Sequence, residues 1–422
     1  MTAEARDAWL ASAWARVAEK VVAWRRDIHA HPELSNRERR TGKLVAEHLR
    51  SLGLSAVREN VAHTGVVGVL VGDKPGPVIA LRADMDGLPV TEEVDLPFKS
   101  TARAEWNGQS VGVMHACGHD AHTAILMGVA EALASRRAEL AGTVKFFFQP
   151  AEESPPRGEE GGARMMIAEG CLDDPAVEAI FGLHVWAGLP TGQIRYRSGP
   201  LMASADDFHI HVAGRQTHAA LPWRGVDPIV VGAQIVTALQ TIVSRRMNIA
   251  KEPSIVTVGI FQGGVRPNII PDGVRLEGTI RAFDEAQRSE IHAQVKQIAE
   301  NIAASAGATA TVHIHRWYDV TINHAALTAF AAPVLERLAG GGAVAIGDKV
   351  CGAEDFSFFQ QRVPGFFYFI GCTRPGADPA LAAPNHSPLF EVDEGCLEIG
   401  FRTLAGLALD GLALPWRAAS GG

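Results

Sequence analysis

The first part of the chain alternates apolar stretches of helical length with short, strongly apolar runs. Residues 78–83 and 143–148 are such runs, and a helical pattern covers residues 121–135 between them. Strands that are apolar on both faces are typical of a sheet covered by helices on each side. Residues 1–26 mix charged positions with Ala, Val and Trp, which predicts an amphipathic helix rather than a secretory signal. The pattern therefore predicts an α/β domain with a central sheet flanked by helices.

The middle of the chain shows a different order of elements. Strand, helix, strand, strand, helix and strand are predicted in turn over residues 208–213, 228–245, 254–260, 274–281, 286–305 and 309–315. This is the order of a ferredoxin-like split βαβ fold, and Asp227 has the residue type of an N-cap for its first helix. Apolar α/β character resumes at residues 366–370. We therefore predict one discontinuous domain, residues 1–203 and 318–422, interrupted by a smaller α+β domain, residues 204–317.

Composition narrows the class of protein. The 422 residues are 47% hydrophobic and 20% charged, as in ordinary globular chains, and the length favours two domains. With 39 basic and 47 acidic residues the formal charge is −8, so nucleic acid is not an expected partner. No run approaches the roughly 18 apolar residues of a membrane span, so no membrane partner is expected either. Five scattered cysteines predict free thiols and a cytoplasmic location.

A dense cluster of histidines and a cysteine lies in residues 115–122. Its members are His115, Cys117, His119, Asp120 and His122. Imidazole and thiolate are common ligands of zinc and similar divalent ions. If residues 114–119 are extended, alternate side chains share one side, and Asp120 can cap the helix that follows. A histidine-rich loop with a buried thiol is the alternative for any single residue, but the density of the cluster favours a metal site.

Two adjacent carboxylates, Glu152 and Glu153, follow the apolar run at residues 143–148. Adjacent side chains point in different directions, so one carboxylate can bind a metal while the other faces a bound water. A solvated acidic pair is the alternative, and it is favoured only if the neighbouring cluster is ignored. The loop of residues 154–160 that follows either shapes a substrate pocket or is simply exposed.

Four further polar residues stand in segments of uncertain role. His184 lies in an apolar run, where a buried core histidine is the usual interpretation. His386 lies between two prolines, as an exposed loop histidine often does. Asp84 and Asp86 end the strand at residues 78–83 and could orient ligating histidines or cap the next element.

These segments, in this order, resemble the M20 metallopeptidase family, and most closely its amidohydrolase branch of hippurate hydrolases and indole-acetyl-amino acid hydrolases. The similarity extends from residues 26–34 to residues 386–390, nearly the whole chain. It implies a zinc-peptidase-like catalytic domain interrupted by a ferredoxin-like lid or dimerisation domain. It implies two divalent ions held by Cys117, His119, Glu153, His184 and His386. It further implies that His119 bridges the ions, that Glu152 is the catalytic base, and that Asp86 supports the ligands from outside the coordination sphere.

The smaller domain resembles its counterpart in the same family. The residues implied to contact substrate are His218, at its carbonyl, Asn268 and Arg281, at its carboxylate, and Gly352, in a glycine-rich loop. The family's histidine often acts across a dimer interface. Without the resemblance, His218 would be interpreted as a loop histidine and Arg281 as a surface charge.

The residues and the resemblance together predict a metal-dependent amidohydrolase. Its expected reaction cleaves N-acyl-amino acids, hippurate-like or similar aryl or alkyl conjugates, to a carboxylic acid and an amino acid. Arg281 can grip a carboxylate through two nitrogens, and the ligand types suit Zn, Mn, Co or Ni. A family dipeptidase and a non-catalytic protein braced by metals are the alternatives. A homodimer is expected, because the ferredoxin-like domain offers an edge strand and a helix face.

Overall fold

The computed structural model describes residues 2–413, which divide into two compact units. Within that range the larger unit contains residues 2–199, 322–348 and 358–413, and the smaller contains residues 200–321 and 349–357. The division made from the sequence assigned residues 349–357 to the larger domain. The segment joins the smaller unit because the Ala203 N–H donates to the carbonyls of Val350 and Gly352, both at 3.0 Å.

The helices of the described residues are α1 (Ala3–Ala30), α2 (Arg39–Ser51), α3 (His119–Ala134), α4 (Gly162–Ala168), α5 (Pro228–Thr241), α6 (Glu285–Ser305), α7 (Ala325–Ala339), α8 (Phe356–Gln360) and α9 (Cys396–Ala413). The strands up to the smaller unit are β1 (Ala56–Val61), β2 (Gly65–Val71), β3 (Lys74–Asp84), β4 (Arg103–Trp106), β5 (Gln109–Gly112), β6 (Ala141–Gln149), β7 (Ala179–Pro190), β8 (Ile194–Tyr196) and β9 (Gly199–Met202). The remaining strands are β10 (Ala205–Ala213), β11 (Thr217–His218), β12 (Ser254–Gly263), β13 (Ile269–Ile270), β14 (Gly273–Ala282), β15 (Thr309–Tyr318), β16 (Thr321–Asn323), β17 (Val344–Ile346) and β18 (Gly365–Thr373).

The larger unit is built on an eight-stranded mixed sheet in the order β1-β2-β6-β3-β7-β18-β8-β17. Its central pairs, β6 with β3, β3 with β7 and β7 with β18, are parallel. Helices α1, α3 and α9 pack against one another and form one core with the sheet. Phe146 and Phe148 belong to this core, whereas Phe147, on the other face of β6, packs against Phe359 with ring centroids 5.7 Å apart. Both faces of the central strand are therefore buried, which confirms the prediction of a sheet flanked by helices.

The smaller unit has an antiparallel sheet in the order β12-β14-β10-β15. The chain order β10, α5, β12, β14, α6, β15 confirms the predicted ferredoxin-like split βαβ fold. Alternate residues of β10, Phe208, Ile210 and Val212, are fully buried in the core of this unit. The Asp227 carboxylate accepts the N–H groups of Ile229 and Val230, which confirms the predicted N-cap of α5.

Helix α5 continues into a π-helical turn, Ile242–Arg246. The combined segment Pro228–Arg246 is the one stretch among the described residues that is long and apolar enough to cross a membrane by length and composition. Its residues Val231, Ile235 and Leu239 are buried in the core of the smaller unit, as in the core helix of an ordinary α+β domain.

Candidate metal centre

The candidate centre lies at the carboxyl ends of neighbouring parallel strands. Strand β3 ends at Asp84, which pairs in register with Gln149, the last residue of β6. Asp86 follows β3 by two residues, and Glu152 and Glu153 follow β6 by three and four. Ligands of open α/β sheets commonly bind outside the carboxyl ends of the strands, where connecting segments converge. The sheet therefore brings two predicted carboxylate pairs to one edge.

The cluster at residues 115–122 enters this edge through a sharp turn. Gly118 is the N-cap residue of α3 with φ +94°, and a Cβ there would lie 2.2 Å from Val185 Cγ2. Only glycine fits this close approach and this backbone conformation. His119 is thus the first residue of α3, and the strand-like alternation expected over residues 114–119 does not apply.

The prediction that Asp120 caps α3 is wrong. Its buried carboxylate makes no cap hydrogen bond; instead it forms an ion pair with Arg25, whose Nε lies 2.9 Å away, and a hydrogen bond with His29 Nδ1, also at 2.9 Å. Arg25 and His29 belong to α1. Burial would raise the pKa of Asp120, but the charges of Arg25 and His29 and the hydrogen bond from His29 hold it well below its usual range. The aspartate therefore ties the first turn of α3 to α1.

Four of the five predicted ligands converge on one point. Cys117 Sγ lies 3.3 Å from His184 Nε2 and 3.3 Å from His386 Nε2. His386 Nε2 is also 3.0 Å from Glu153 Oε1. The loop of His386 is held by its own N–H, which donates to the Ala116 carbonyl at 2.7 Å. The side chain of His386 is 55% exposed, as its proline-bracketed loop suggested, but its ring contacts Cys117 and Glu153.

His119, the fifth predicted ligand, points one nitrogen into this group. Its Nδ1 lies 3.1 Å from Asp86 Oδ1, so Nδ1–H is the donor and Nε2 faces inward. Nε2 is buried, has no hydrogen-bond partner, and lies 4.0 Å from Glu152 and 3.9 Å from Glu153. A buried polar nitrogen without a partner is costly unless a ligand completes it. This nitrogen fits a metal ion.

His122 is close to the group but is fully engaged elsewhere. Its Nδ1 lies 2.6 Å from Asp84 Oδ1, and its Nε2 accepts the Val185 N–H at 2.8 Å. Asp84 in turn receives Arg82 Nη1 at 2.6 Å. Both nitrogens of His122 are therefore engaged, by Asp84 and by the Val185 backbone, and neither is left for a metal.

The donor atoms fall into small groups that could each hold an ion. One contains Cys117, His119 and His184, a second contains Cys117, Glu153 and His386, and a third contains His119, Glu152 and Glu153. Cys117 is common to the two groups that include His184 and His386. His119 is likewise common to the first and the third group, so the bridging role that the resemblance implied for His119 stays a prediction.

Electrostatics in the centre favour a cation. Burial and the carboxylates of Glu153 and Glu152 raise the pKa of the Cys117 thiol well above its usual range. Burial alone would lower the pKa of His119, but Asp84 and Asp86 outweigh it and raise that pKa to about 10. A divalent ion would offset this concentration of negative charge and stabilise the thiolate. Thiol, imidazole and carboxylate together are a donor set of transition-metal sites.

The α/β sheet with this centre at its carboxyl edge defines the class of metal-dependent hydrolases. Residues 80–410 match peptidase family M20/M25/M40. Over about 390 residues the chain is 40% identical to thermostable carboxypeptidase 1 of Saccharolobus solfataricus, covering 92% of this chain and 94% of that one. It is 37% identical to N-acetylcysteine deacetylase of Bacillus subtilis, covering 92% and 96%. A dinuclear metal-binding M20 peptidase of Bacillus subtilis superposes with a TM-score of 0.79 at 35% identity, covering 94% and 98%.

The chain belongs to peptidase family M20/M25/M40 and is a metal-dependent amidohydrolase. The resemblance noted from its motifs is thereby confirmed, as is the expectation of divalent metal. The assignment of individual ligands and of the base remains a prediction.

The predicted substrate residues lie in the smaller unit, where the structure brings two of them together. His218 pairs with Ile269 across β11 and β13, and the Ala219 N–H donates to the Asn268 carbonyl at 3.0 Å. Arg281 lies on β14, where Nη1 donates to the Ile280 carbonyl at 3.0 Å and to Thr279 Oγ1. Gly352 lies on the separate segment that packs beside Met202, with its carbonyl accepting the Ala203 N–H.

The motifs did not identify two residues that support the centre. Ser35 Oγ donates to Asp86 Oδ2 at 2.8 Å, and the Glu38 carboxylate accepts the Ala151 N–H at 2.9 Å. Both are buried although their segment is polar in sequence. A glutamate placed between Arg37 and Arg39 shows no local sign of burial, so no pattern could have singled it out.

Proposed function

We propose that this protein hydrolyses the amide bond of N-acyl-amino acids with two divalent ions of the Zn, Mn, Co or Ni type. The proposed ligands are Cys117, His119, Glu153, His184 and His386. The observation that supports the proposal is a second carboxylate, that of Glu152, which lies 4.0 Å from the unpartnered Nε2 of His119 and next in sequence to the proposed ligand Glu153. A purely structural metal site has no need of such a group.

The ions, when bound, would polarise the amide carbonyl and lower the pKa of a water from about 16 toward about 7. Glu152 would take the proton of the attacking water and deliver it to the departing amine nitrogen. Asp86 would keep the proton of His119 on Nδ1, so that Nε2 stays available as a ligand. His184 is fixed likewise, since its Nδ1–H donates to the Val185 carbonyl at 2.6 Å.

The smaller unit supplies groups suited to a substrate with a carbonyl and a carboxylate. His218 Nδ1 accepts the Ala220 N–H at 3.0 Å, so a neutral ring carries its proton on Nε2 and can donate to a developing oxyanion. Arg281 uses Nη1 for its two hydrogen bonds and has Nε and Nη2 available for a bidentate carboxylate contact. Asn268 and the backbone at Gly352 are proposed to complete the substrate site.

The names of relatives support the same substrate class. One is named for deacetylation of N-acetylcysteine, an N-acyl-amino acid, and another for carboxypeptidase activity. Both names describe cleavage of an amide next to an amino acid.

We further propose a homodimer formed through the smaller unit. Ile229 and Val230 on α5 are 38% and 54% exposed and line an apolar groove with Ala233. Phe261, on the edge strand β12, is 42% exposed. Apolar residues of this size at an edge strand and a helix face suit a two-fold interface. The five cysteines are free thiols, which agrees with the proposed cytoplasmic location.

A family dipeptidase is the second candidate, and a substrate comparison separates the two. The protein is stripped of metal, reloaded singly with Zn, Mn, Co or Ni, and assayed for kcat/KM on N-acetyl- and N-benzoyl-amino acids and on matched glycyl dipeptides. We expect turnover to return with metal and the acyl substrates to be preferred at least about tenfold, since an amine lacks the apolar contact of an acyl group. Preference for the dipeptides would favour the dipeptidase, and no turnover with any ion would contradict both candidates.

A further inference from the structure

Three of four consecutive residues between α1 and α2 contact the loop that carries the proposed base, and the fourth, Ser35, contacts Asp86, which holds the same loop. We call Ser35, Asn36, Arg37 and Glu38 the clamp segment, and residues 150–161, between β6 and α4, the base loop. The two segments are more than a hundred residues apart in sequence. Their contacts all lie within the larger unit.

The clamp segment holds the start of the base loop through a buried carboxylate. Glu38 is completely buried, and its Oε1 accepts the Ala151 N–H at 2.9 Å. Its Oε2 accepts the Thr64 hydroxyl at 2.5 Å. Ala151 is the residue immediately before Glu152, so this hydrogen bond fixes the backbone from which the base projects.

A second anchor lies on the other side of the base. Asp86 Oδ2 accepts the Glu153 N–H at 3.0 Å, and the same oxygen accepts Ser35 Oγ at 2.8 Å. Glu152 therefore stands between two backbone N–H groups that are each bonded to a buried carboxylate. Neither Glu38 nor Ser35 makes a hydrogen bond or ion pair with the side chain of a proposed metal ligand.

The clamp segment also holds the far end of the base loop. Arg37 donates to both oxygens of Glu159, at 2.6 and 3.0 Å, and Asn36 Nδ2 donates to the Glu160 carbonyl at 3.0 Å. Gly161 approaches so closely that a Cβ there would lie 2.6 Å from Asn36 Oδ1. The loop of residues 154–160, whose role the sequence left open, is thus bound to the clamp segment by hydrogen bonds and an ion pair.

The base loop needs such anchors because its backbone is unfavourable. Ala151 has φ +51° and Ser154 has φ +86°, in the left-handed region that residues with a side chain rarely adopt. Conformations of this kind persist only where surrounding contacts over-determine them. Removal of the Glu38 carboxylate would free Ala151 to relax and Glu152 to move with it.

We propose that Glu38 is a positioning residue, which holds Glu152 in its reactive orientation through the Ala151 N–H. The inference depends on the proposed role of Glu152 as base. A displacement of about 1 Å at a reacting group can cost about a hundredfold in rate. We therefore expect Glu38→Ala to lower kcat by about tenfold to a hundredfold, with KM and bound metal little changed.

The test uses the full-length, metal-loaded protein and a matched control on the same segment of chain. Glu33 also accepts two backbone N–H groups, those of Arg40 at 3.0 Å and Thr41 at 2.9 Å, but it has no contact with the base loop. Glu33→Ala should therefore lower the melting temperature without lowering kcat. Glu38→Gln keeps an acceptor for Ala151 and should restore kcat to within about threefold of the wild type. If Glu38→Ala does not fold, Glu38→Asp, whose carboxylate is one methylene too short to reach Ala151, replaces it.

The same series in a Glu152→Gln background separates this inference from the proposed function. If Glu38 acts through Glu152, then Glu38→Ala causes no further loss once Glu152 is replaced. Wild-type kcat in Glu38→Ala, or an equal loss in both backgrounds, would overturn the positioning role while leaving the function intact. Wild-type turnover by Glu152→Gln alone would instead contradict the proposed base, and this inference with it.

Discussion

Replacement of Asp86 by asparagine changes one atom and should weaken metal binding without unfolding the protein. The buried carboxylate accepts three donors: His119 Nδ1 at 3.1 Å, the Glu153 N–H at 3.0 Å and Ser35 Oγ at 2.8 Å. Burial raises its pKa, but the His119 hydrogen bond and charge outweigh that effect and lower the pKa below its usual value. The native group is therefore a charged acceptor at both oxygens.

Asparagine can accept either the His119 donor or the Glu153 and Ser35 donors, but not both sets. It has one acceptor oxygen, and its amide nitrogen must donate. If the asparagine oxygen still faces Glu153 and Ser35, its amide nitrogen faces His119 Nδ1 and donates to it. This hydrogen bond favours the imidazole tautomer of His119 that carries its proton on Nε2. That nitrogen is the proposed metal ligand. Loss of such an orienting partner typically weakens metal binding tenfold to a hundredfold, about 1.4–2.7 kcal/mol.

The assay is competition between the protein and a chelator of known affinity, performed with Zn and with Mn. Ser35→Ala is the matched control, because it removes one hydrogen bond to the same carboxylate and should cost about 1 kcal/mol of stability with unchanged metal affinity. Metal affinity of Asp86→Asn within threefold of the wild type would refute the tautomer argument. So would an equal loss in Ser35→Ala.

Two further predictions concern the substrate carboxylate and pH. Arg281→Ala should lower kcat/KM at least about tenfold more for N-acyl-amino acids than for their C-terminal amides, because charge-assisted hydrogen bonds are worth about 1.5–3 kcal/mol. The control is Arg275→Ala, which removes an exposed guanidinium that pairs with Glu277. Equal losses of kcat/KM with the acids and the amides would contradict a role of Arg281 in carboxylate recognition. Burial and the charge of Asp86 raise the pKa of Glu38 from 4.5 to about 8, so this group favours the folded state at low pH and its contribution is lost as pH rises through that window. The free energy of unfolding, measured by urea titration, should therefore rise in Glu38→Gln relative to the wild type as the pH increases from 5 to 8, by at most about 1.4 kcal/mol per pH unit. A difference between the two proteins that does not change with pH would contradict the raised pKa of Glu38.

Elements with a strong local pattern were predictable from the sequence. The apolar run that becomes β6 is buried on both faces, and the order of six elements in the smaller unit identifies its fold. The cap at Asp227 was also predictable, because Asp before Pro at a helix start is a local signal. These predictions depend on residues that are neighbours in the chain.

Features that depend on distant residues were not predictable in this way. Asp120 had the residue type and position of a helix cap, but Arg25 and His29, more than ninety residues earlier, determine its role. Glu38 bonds to Ala151, 113 residues later. Spacing within residues 115–122 offered several ligands, and only the fold shows that both nitrogens of His122 are engaged while Nε2 of His119 is not.

The central claim is that Glu152 is the base of a metal-dependent amide hydrolysis. Its most direct test is Glu152→Gln, measured for bound metal and for single-turnover hydrolysis of an N-acyl-amino acid. Loss of a general base costs at least about a hundredfold, so we expect wild-type metal content with a rate lowered by that factor or more. Near-normal turnover in a fully metal-loaded Glu152→Gln protein would contradict the account.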